Sequence, residues 1–253
     1  MENKDNKCTV TVFVLATNET EALEETISQI YALRNIDCIE KIIIFAKNDS
    51  CPAYECGHKL ISEHTDNRIE VYVQKAADFE QCFIEMPPLV KTTHCIHMAA
   101  DMEMYPPAMD MFIDKAKQRP RCIISASKWH KDSVVEGYSS LRKLITRSLN
   151  FVLGCFTGFK ATEFVSMYRI FPMCLFNEMN FSKNKYFGYE YFLKPFFFDI
   201  EYEEVPTVYK PRSDGHSNFN PKKLWRLGYR FIFNAIRLWF QTKVFSKKSQ
   251  NKR

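Results

Sequence analysis

The chain has 253 residues, 46% hydrophobic and 26% charged, with a formal net charge of +5, which is enough for a sizeable core in one domain or one domain plus an appendage. Its nine cysteines are odd in number and form no Cys-x-x-Cys pair, which argues against a disulfide framework and indicates free thiols in a reducing cytosol. The polar amino-terminal residues lack the pattern of a signal peptide, and no apolar run reaches the roughly 18 residues of a membrane-spanning helix.

The first half of the chain alternates apolar, β-branched runs with segments of helical periodicity. Buried strands are predicted at residues 8–17, 39–46, 68–74, 94–100 and 122–127. Helices are predicted from an N-cap at Asn18 to about residue 34, at 54–64 and at 107–118, with a weaker helical segment at 79–90. Strands that alternate with helices indicate a doubly wound, mostly parallel α/β sheet.

Two carboxylates, Asp101 and Glu103, follow the fourth predicted strand. Ligands of a doubly wound sheet bind outside the carboxyl ends of its strands. Residues two apart in an extended segment share a side, so both acids can point at one Mg²⁺ or Mn²⁺ ion whose other ligands come from a phosphate. On spacing alone, two ordinary surface acids at the start of a loop are the more common arrangement.

The basic charge is concentrated in the last part of the sequence. No Asp or Glu follows Asp214, whereas ten Lys or Arg residues lie from Lys222 onward, so the first 221 residues carry 25 basic and 30 acidic residues. On a helix, one narrow stripe would hold the polar positions Lys223, Arg226, Arg230, Asn234, Arg237 and Gln241, and apolar side chains would cover the rest.

A wide apolar face with a basic strip predicts an amphipathic helical tail, residues 221–253, that lies on an anionic membrane surface. The apolar segment 150–159 is expected to join this surface. The alternative is a helix packed in the core or in a dimer. Nucleic-acid binding is not expected, because the body of the protein is acidic and the tail is mostly apolar.

The order of these features resembles the family-2 glycosyltransferases of the GT-A fold, most of all the dolichyl- or polyprenyl-phosphate sugar transferases, over roughly residues 8–240. Leu15-Ala16-Thr17-Asn18-Glu19 stands where the family has a Pro-x-Tyr-Asn-Glu-like element, and Ala99-Ala100-Asp101-Met102-Glu103 stands at the metal motif Asp-Ala-Asp-Leu-Gln. Later matches are Ser166-Met167-Tyr168-Arg169, Glu190 fourteen residues before Glu204-Val205-Pro206, and the loop Arg212-Ser213-Asp214-Gly215-His216-Ser217-Asn218.

The resemblance implies a GT-A, Rossmann-like transferase domain over residues 1–220, followed by the tail at 221–253. The implied activity is a metal-dependent, inverting transfer of a sugar from a nucleotide-sugar donor to a polyprenyl-phosphate or other lipid or glycan acceptor. The expected location is cytoplasmic and peripheral, at the inner face of the membrane, and a homo-oligomer is left open. The resemblance assigns catalysis to Asp101, Glu190 and Arg212, the Mg²⁺ or Mn²⁺ ion to Asp101 and Glu103, and donor binding to Leu15, Thr17, Asn18, Glu19, Asp49, Ala100, Arg212 and Ser217.

The chemistry of the acceptor leaves one alternative open. A phosphate is already ionised at pH 7 and needs no strong general base. A sugar hydroxyl, as in surface-polysaccharide synthesis, must lose a proton, and Glu190 is then the candidate base, with a structural glutamate on a helix face as an equal alternative. Lys128 and Arg142 follow the fifth strand and either meet the acceptor phosphate or are solvated cations.

Departures from the family pattern favour a second alternative, a catalytically degenerate relative that serves as a binding subunit. Ala99 occupies the place of the first metal-motif Asp, and Ala46-Lys47 occupies the place of an acidic pair that binds the base. A glycine-rich turn is missing at residues 75–78. The acids at Asp101 and Glu103, together with Arg212, oppose this alternative.

Overall fold

The computed structural model describes residues 7–76, 82–198, 200–211 and 221–250, without the side chains of 221, 223 and 243–250. Seven strands form one sheet in the order β3-β2-β1-β4-β7-β5-β8, in which every neighbouring pair is parallel except those of β7. A separate parallel pair joins β6 to β9. The strands are β1 (Val10–Ala16), β2 (Ile39–Ala46), β3 (Ile69–Val73), β4 (His94–Ala99), β5 (Ile123–Ser127), β6 (Val134–Val135), β7 (Arg169–Pro172), β8 (Tyr202–Pro206) and β9 (Val208–Tyr209).

The helices flank this sheet, and short 3₁₀ turns lie at Ile36–Cys38, Pro87–Leu89 and Lys194–Phe197. The α-helices are α1 (Glu21–Tyr31), α2 (Pro52–Glu63), α3 (Ala108–Gln118), α4 (Ser140–Thr157), α5 (Met173–Glu178), α6 (Phe187–Leu193) and α7 (Pro221–Gln250). The predicted doubly wound, mostly parallel architecture is confirmed. One local prediction is wrong: α1 begins after Thr20 rather than after an N-cap at Asn18. Of the weaker helical segment predicted at 79–90, residues 79–81 lie outside the described residues, Cys82 is helical, and residues 83–90 form turns.

The sheet separates two cores because its central strands are apolar on both faces. In β1, Val12 and Val14 belong to an aliphatic core, whereas Phe13 between them points into an aromatic one. Helices α1, α2 and α3 cover the aliphatic side, and α5, α6 and α7 contribute to the aromatic side. All nine cysteines are free, as predicted.

Helix α7 packs on the aromatic core along one face. Phe231, Ala235 and Leu238 are buried there, and the Phe231 ring lies 5.1 Å from the ring of Tyr189. The same face carries Asn234, which is also buried, because residues three and four apart fall on one side of a helix. The helix is therefore packed against the protein over part of its length.

The predicted polar stripe of the tail is consequently not a single outward-facing stripe. Asn234 is buried, and the Arg237 guanidinium donates to the Glu190 carboxylate at 2.7 Å, so these two positions face the protein. The division into a domain at 1–220 and a tail at 221–253 stays a prediction. Among the described residues, no helix combines the length and the apolar composition needed to cross a bilayer.

Candidate functional site

The acidic loop begins at the carboxyl end of β4, next to the end of β1. The Ala100 amide donates to the Leu15 carbonyl at 2.9 Å, which ties the loop to that strand. Asp101 is buried, and its Oδ1 accepts a hydrogen bond from the Glu103 amide at 3.1 Å. Met102 between them has a φ of 56°, in the left-handed region, so this segment is a tight turn. The prediction that Asp101 and Glu103 share a side because they lie in an extended segment is therefore wrong in its premise.

The far end of the acidic loop is held by two other parts of the chain. Met104 forms an antiparallel bridge with Tyr209, next to the contact in which the Lys210 amide donates to the Glu103 carbonyl at 3.3 Å. The Tyr168 hydroxyl, just before β7, donates to the Tyr105 carbonyl at 2.9 Å. The loop that carries the two acids is thus fixed at both ends.

Glu103 is paired with a cation from the first turn of α4. The Arg142 guanidinium donates to Glu103 Oε1 at 3.1 Å and stacks over the Tyr138 ring, 3.7 Å from its centroid. The Arg142 side chain is only 24% exposed and the Glu103 side chain only 13% exposed. Arg142 is therefore a positioned cation beside the candidate metal acids, and the interpretation of it as a solvated residue is wrong.

A second positioned cation, Lys128, directly follows β5. Its ammonium group pairs with the Glu163 carboxylate and lies 4.4 Å from the centroid of the Tyr209 ring. Burial disfavours the ammonium charge, but Glu163, Tyr209 and Tyr138 outweigh burial and hold the pKa of Lys128 above its ordinary value. Lys128 is therefore protonated at neutral pH and is not a solvated cation.

Glu204 in β8 stabilises the loop that carries Glu163. Its carboxylate accepts hydrogen bonds from the amides of Thr162 and Glu163, both at 2.8 Å, and from the Thr162 hydroxyl at 2.8 Å. Sequence reasoning noted Glu204 as part of a motif but missed Glu163, Tyr138 and Tyr209. Lys128 and Glu163 lie 35 residues apart, and no periodicity connects them.

The loop after β1 reaches the same edge of the sheet as the acidic loop, because β1 and β4 are parallel neighbours. The Glu19 carboxylate accepts hydrogen bonds from the amides of Thr17 at 2.6 Å and Asn18 at 3.0 Å, which fixes this loop. Asp49 is exposed in the loop after β2, one strand further along. The predicted donor residues at 15, 17, 18, 19, 49 and 100 therefore share one edge, whereas Arg212 and Ser217 lie outside the described residues.

Glu190 lies in α6 within a cluster of donors. Its carboxylate accepts from the Ser182 hydroxyl at 2.6 Å, from the Ser182 amide at 2.8 Å and from Arg237 at 2.7 Å, and Lys194 lies 3.6 Å away. Burial raises the pKa of Glu190, but Ser182, Arg237 and Lys194 outweigh it and hold the pKa below its ordinary value. These contacts favour a structural role for Glu190. Its role as a general base stays a prediction.

The donor set of the acidic loop fits a hard divalent ion that is held partly by its substrate. In the part of the chain that the structure describes, no three His, Cys, Asp or Glu side chains are grouped to hold a metal. Asp101 and Glu103 supply carboxylate oxygens, the preferred ligands of Mg²⁺ and Mn²⁺, which often take their other ligands from phosphates and water. Two carboxylates, one of them paired with Arg142, therefore fit a metal with a diphosphate rather than a closed protein cage.

An open cleft of about 460 Å³ lies next to the Lys128–Glu163 pair, because Trp129 and Thr162, their neighbours in the chain, line it. Trp129, which follows Lys128, forms one wall, and the Arg147 guanidinium lies 4.8 Å from its ring centroid. Lys160 adds a second cation, and Phe151 adds an apolar wall. The cleft thus combines positive charge and apolar surface; its remaining lining residues are Asn150, Gly154, Cys155, Gly158, Phe159, Ala161 and Thr162.

No protein-family model and no curated protein sequence matches the chain. Solved structures do match it. Glucosyl-3-phosphoglycerate synthase from Mycobacterium tuberculosis in complex with UDP superposes with a TM-score of 0.65 at 12% identity, covering 91% of this chain and 80% of the other. The same enzyme with Mn²⁺, UDP-glucose and phosphoglyceric acid gives 0.62 at 13% identity, covering 91% and 79%.

Mannosyl-3-phosphoglycerate synthase from Rubrobacter xylanophilus gives a TM-score of 0.65 at 14% identity, covering 92% of this chain and 74% of the other. At such low identity the likeness concerns the fold and not the activity. The similarity extends over nine-tenths of the chain. The chain therefore has the GT-A fold of the glycosyltransferases, as its sequence predicted.

Proposed function

We propose that this protein is a glycosyltransferase that moves a sugar from a nucleotide-sugar donor to a lipid-linked phosphate at the inner face of a membrane, with Mg²⁺ or Mn²⁺ and inversion at the anomeric carbon. One arrangement carries the proposal: the buried Asp101 and the adjacent Glu103 follow β4, and Arg142 pairs with Glu103. Lys128 lies over the ring of Tyr209, which bridges to Met104 of the same acidic loop. In a GT-A fold this edge of the sheet is where a nucleotide sugar would bind.

In this proposal the acids and cations act on the diphosphate of the donor. Asp101 and Glu103 would hold the divalent ion, which when bound stabilises the negative charge that develops on the departing diphosphate. Lys128 contributes a positive charge fixed by Glu163. Arg212 is proposed to clamp the diphosphate with its planar guanidinium. The remaining donor contacts are assigned to Leu15, Thr17, Asn18, Glu19, Asp49, Ala100 and Ser217.

The cleft beside the site supports a phosphate acceptor that carries an apolar chain. Arg147 and Lys160 suit an anionic group, whereas Phe151 and Phe159 suit hydrocarbon. The solved neighbours include complexes with phosphoglyceric acid and glycerol 3-phosphate, both of which carry a phosphate group. An ionised phosphate also needs no general base, which agrees with the engagement of Glu190 by Ser182 and Arg237.

The donor half of the proposal is tested by thermal unfolding with a panel of nucleotide sugars, with and without Mn²⁺. A ligand at a hundred times its Kd stabilises the folded state by about 2.7 kcal/mol, so one donor should raise the Tm when Mn²⁺ is present. Asp101→Asn should abolish the Mn²⁺-dependent part of this rise. Asp132→Asn, which changes an exposed acid in the turn before β6, is the control and should behave like the parent.

The acceptor half is tested by sugar transfer from the donor so identified. We expect transfer to a polyprenyl phosphate and the opposite anomeric configuration in the product, read by NMR. Transfer to a glycan hydroxyl but to no phosphate would favour the polysaccharide alternative, with Glu190 reconsidered as the base. If Asp101→Asn binds the donor with Mn²⁺ as the parent does, the metal assignment is wrong.

A binding subunit without catalysis is the second candidate. Ala46, at the end of β2 where the family has an acidic residue, pairs with Ala16 and is buried, and Ala99 replaces the first acid of the metal motif. The site therefore has fewer acidic groups than the family pattern. Saturable donor binding without transfer to phosphate, lipid or glycan acceptors would establish this candidate.

A further inference from the structure

Exposed large apolar side chains are concentrated on two neighbouring helices. Of the twelve such side chains in the described part of the chain, seven lie on α4 or α7, and Phe151 and Trp225 are 74% and 73% exposed. Single exposed apolar residues are ordinary, but a contiguous group marks a surface that binds something. We call these seven residues the two-helix surface: Leu141, Leu144, Phe151, Trp225, Tyr229, Phe233 and Phe240.

On each helix the exposed residues fall opposite the packed ones. In α4, Leu144 and Phe151 are seven residues apart and lie away from the buried Leu153. In α7, Tyr229 and Phe233 flank the buried Phe231 and point away from it by the same periodicity.

The two helices also touch each other. A Cβ added at Gly228 of α7 would lie 3.8 Å from Leu149 Cδ1 of α4, so the backbone of α7 lies close to α4 at this point. The exposed residues therefore lie on two neighbouring helices, and we treat them as one surface.

The charge of the two helices identifies the partner. Their sequences contain no Asp or Glu and eleven Lys or Arg residues, and the acids that pair with Arg142 and Arg237 belong to other elements. A basic, aromatic and acid-free surface is complementary to an anionic bilayer, in which aromatic rings enter the interface and cations meet the headgroups. The eleven are Arg142, Lys143, Arg147, Lys222, Lys223, Arg226, Arg230, Arg237, Lys243, Lys247 and Lys248.

We propose that α4 and α7 together form a docking surface for an anionic membrane, with Phe151, Trp225 and Tyr229 entering the lipid interface. Phe151 is also a wall of the cleft, so docking places the mouth of the cleft beside the bilayer. The docking surface would explain how a lipid-bound phosphate reaches the site, and this part of the inference rests on the proposed function. Membrane binding itself does not require the transferase activity.

Vesicle sedimentation of the full chain tests the proposal, with phosphatidylcholine vesicles and with phosphatidylcholine mixed with phosphatidylglycerol. The parent should sediment with the mixed vesicles and much less with the neutral ones. Leu141→Gln/Leu144→Gln on α4 and Trp225→Gln/Phe233→Gln on α7 should each weaken binding about tenfold or more. The second half of this prediction, that α4 matters as much as α7, separates the two-helix surface from a basic tail alone.

The matched control is Ile61→Gln/Met111→Gln, which changes two exposed apolar residues on α2 and α3, at the opposite face of the sheet. It should bind vesicles like the parent. Circular dichroism and thermal unfolding should show that every variant is folded, because all the changed side chains are exposed. Donor binding without vesicles, measured by thermal shift, should be unchanged in all variants, which separates a failure of docking from a failure of the proposed function.

Two results would overturn the proposal. One is equal sedimentation of the parent and both surface variants. The other is a dimer of the parent in light scattering that either surface variant converts to a monomer, with no vesicle binding by any of them. The two-helix surface would then be the interface between two copies of the chain.

Discussion

The Arg142 guanidinium donates a hydrogen bond to the Glu103 carboxylate at 3.1 Å, although 39 residues separate the two in the chain. The contact joins the first turn of α4 to the acidic loop after β4. If Glu103 becomes a metal ligand, the metal ion competes with Arg142 for the same carboxylate. Arg142 can then meet the negative charge of a donor diphosphate.

This exchange is testable with a double-mutant cycle of Glu103→Gln and Arg142→Gln. Without ligands, the two residues should be coupled by about 0.5–3 kcal/mol in the free energy of unfolding, the range for residues in direct contact. With saturating Mn²⁺ and donor the coupling should fall, because Glu103 then has another partner. Urea denaturation of the four proteins in both conditions measures it. A coupling that ligands leave unchanged would make the pair purely structural.

The regular elements could be predicted from the sequence because they depend on local patterns. Runs such as Ile39–Ala46 are apolar on both faces, and only a central, parallel strand buries both. For the same reason the sequence predicts the end of β4, and with it the edge of the sheet on which Asp101 lies. The short β7 was not predicted, because it has only four residues and joins the parallel strands in the opposite direction.

The contacts of the candidate site could not be predicted, because they depend on tertiary packing. The positive φ of Met102 belongs to a residue type that rarely adopts it, so no local rule signals the turn. The Lys128–Glu163 pair requires the loop that Glu204 holds in place. The periodicity of residues 221–250 predicts that α7 is amphipathic, but only tertiary packing determines which side of the helix faces the protein.

The Lys128–Glu163 pair gives a prediction about stability. Both side chains are nearly inaccessible, at 11% and 4% exposed, so removing one partner leaves a buried, uncompensated charge. Lys128→Met and Glu163→Gln should each lower the free energy of unfolding by about 3–5 kcal/mol, and the double variant by less than the sum. Chemical denaturation measures all three.

The control for that pair is an ion pair at the surface. Arg121 and Glu178 form a bidentate contact but are 58% and 54% exposed, so Arg121→Gln should leave the free energy of unfolding nearly unchanged. Equal effects of Lys128→Met and Arg121→Gln would contradict the importance of the buried pair.

Glu190 should make stability depend on pH in the acid range. Because Ser182, Arg237 and Lys194 hold its folded-state pKa below the ordinary value of 4.5, its contribution is complete above pH 4.5 and is lost as the pH falls through the folded-state pKa. Glu190→Gln should cost about 1–3 kcal/mol at pH 7, and the difference from the parent should shrink in acid. Denaturation series at several pH values measure this difference.

The control for Glu190 is Glu55→Gln, a change on the exposed face of α2, which should not alter the pH dependence. Activity then separates the two roles of Glu190. A variant of unchanged stability whose kcat falls about a hundredfold or more would identify a general base. A destabilised variant with normal turnover per folded molecule would identify a structural glutamate.

Neighbouring positions on α7 should respond very differently to truncation. Phe231 is buried against Tyr189 and Phe192, with ring centroids 5.1 and 5.9 Å away, whereas Phe233 is 51% exposed. Phe231→Ala should lower the free energy of unfolding by about 3–5 kcal/mol, because it leaves a cavity in the aromatic core. Phe233→Ala should change it by about 0.5 kcal/mol or less, while weakening vesicle binding. Thermal and urea unfolding of both variants decides the matter: equal stabilities would mean that α7 is not packed on the domain, and its aromatic residues would then all be available to the membrane.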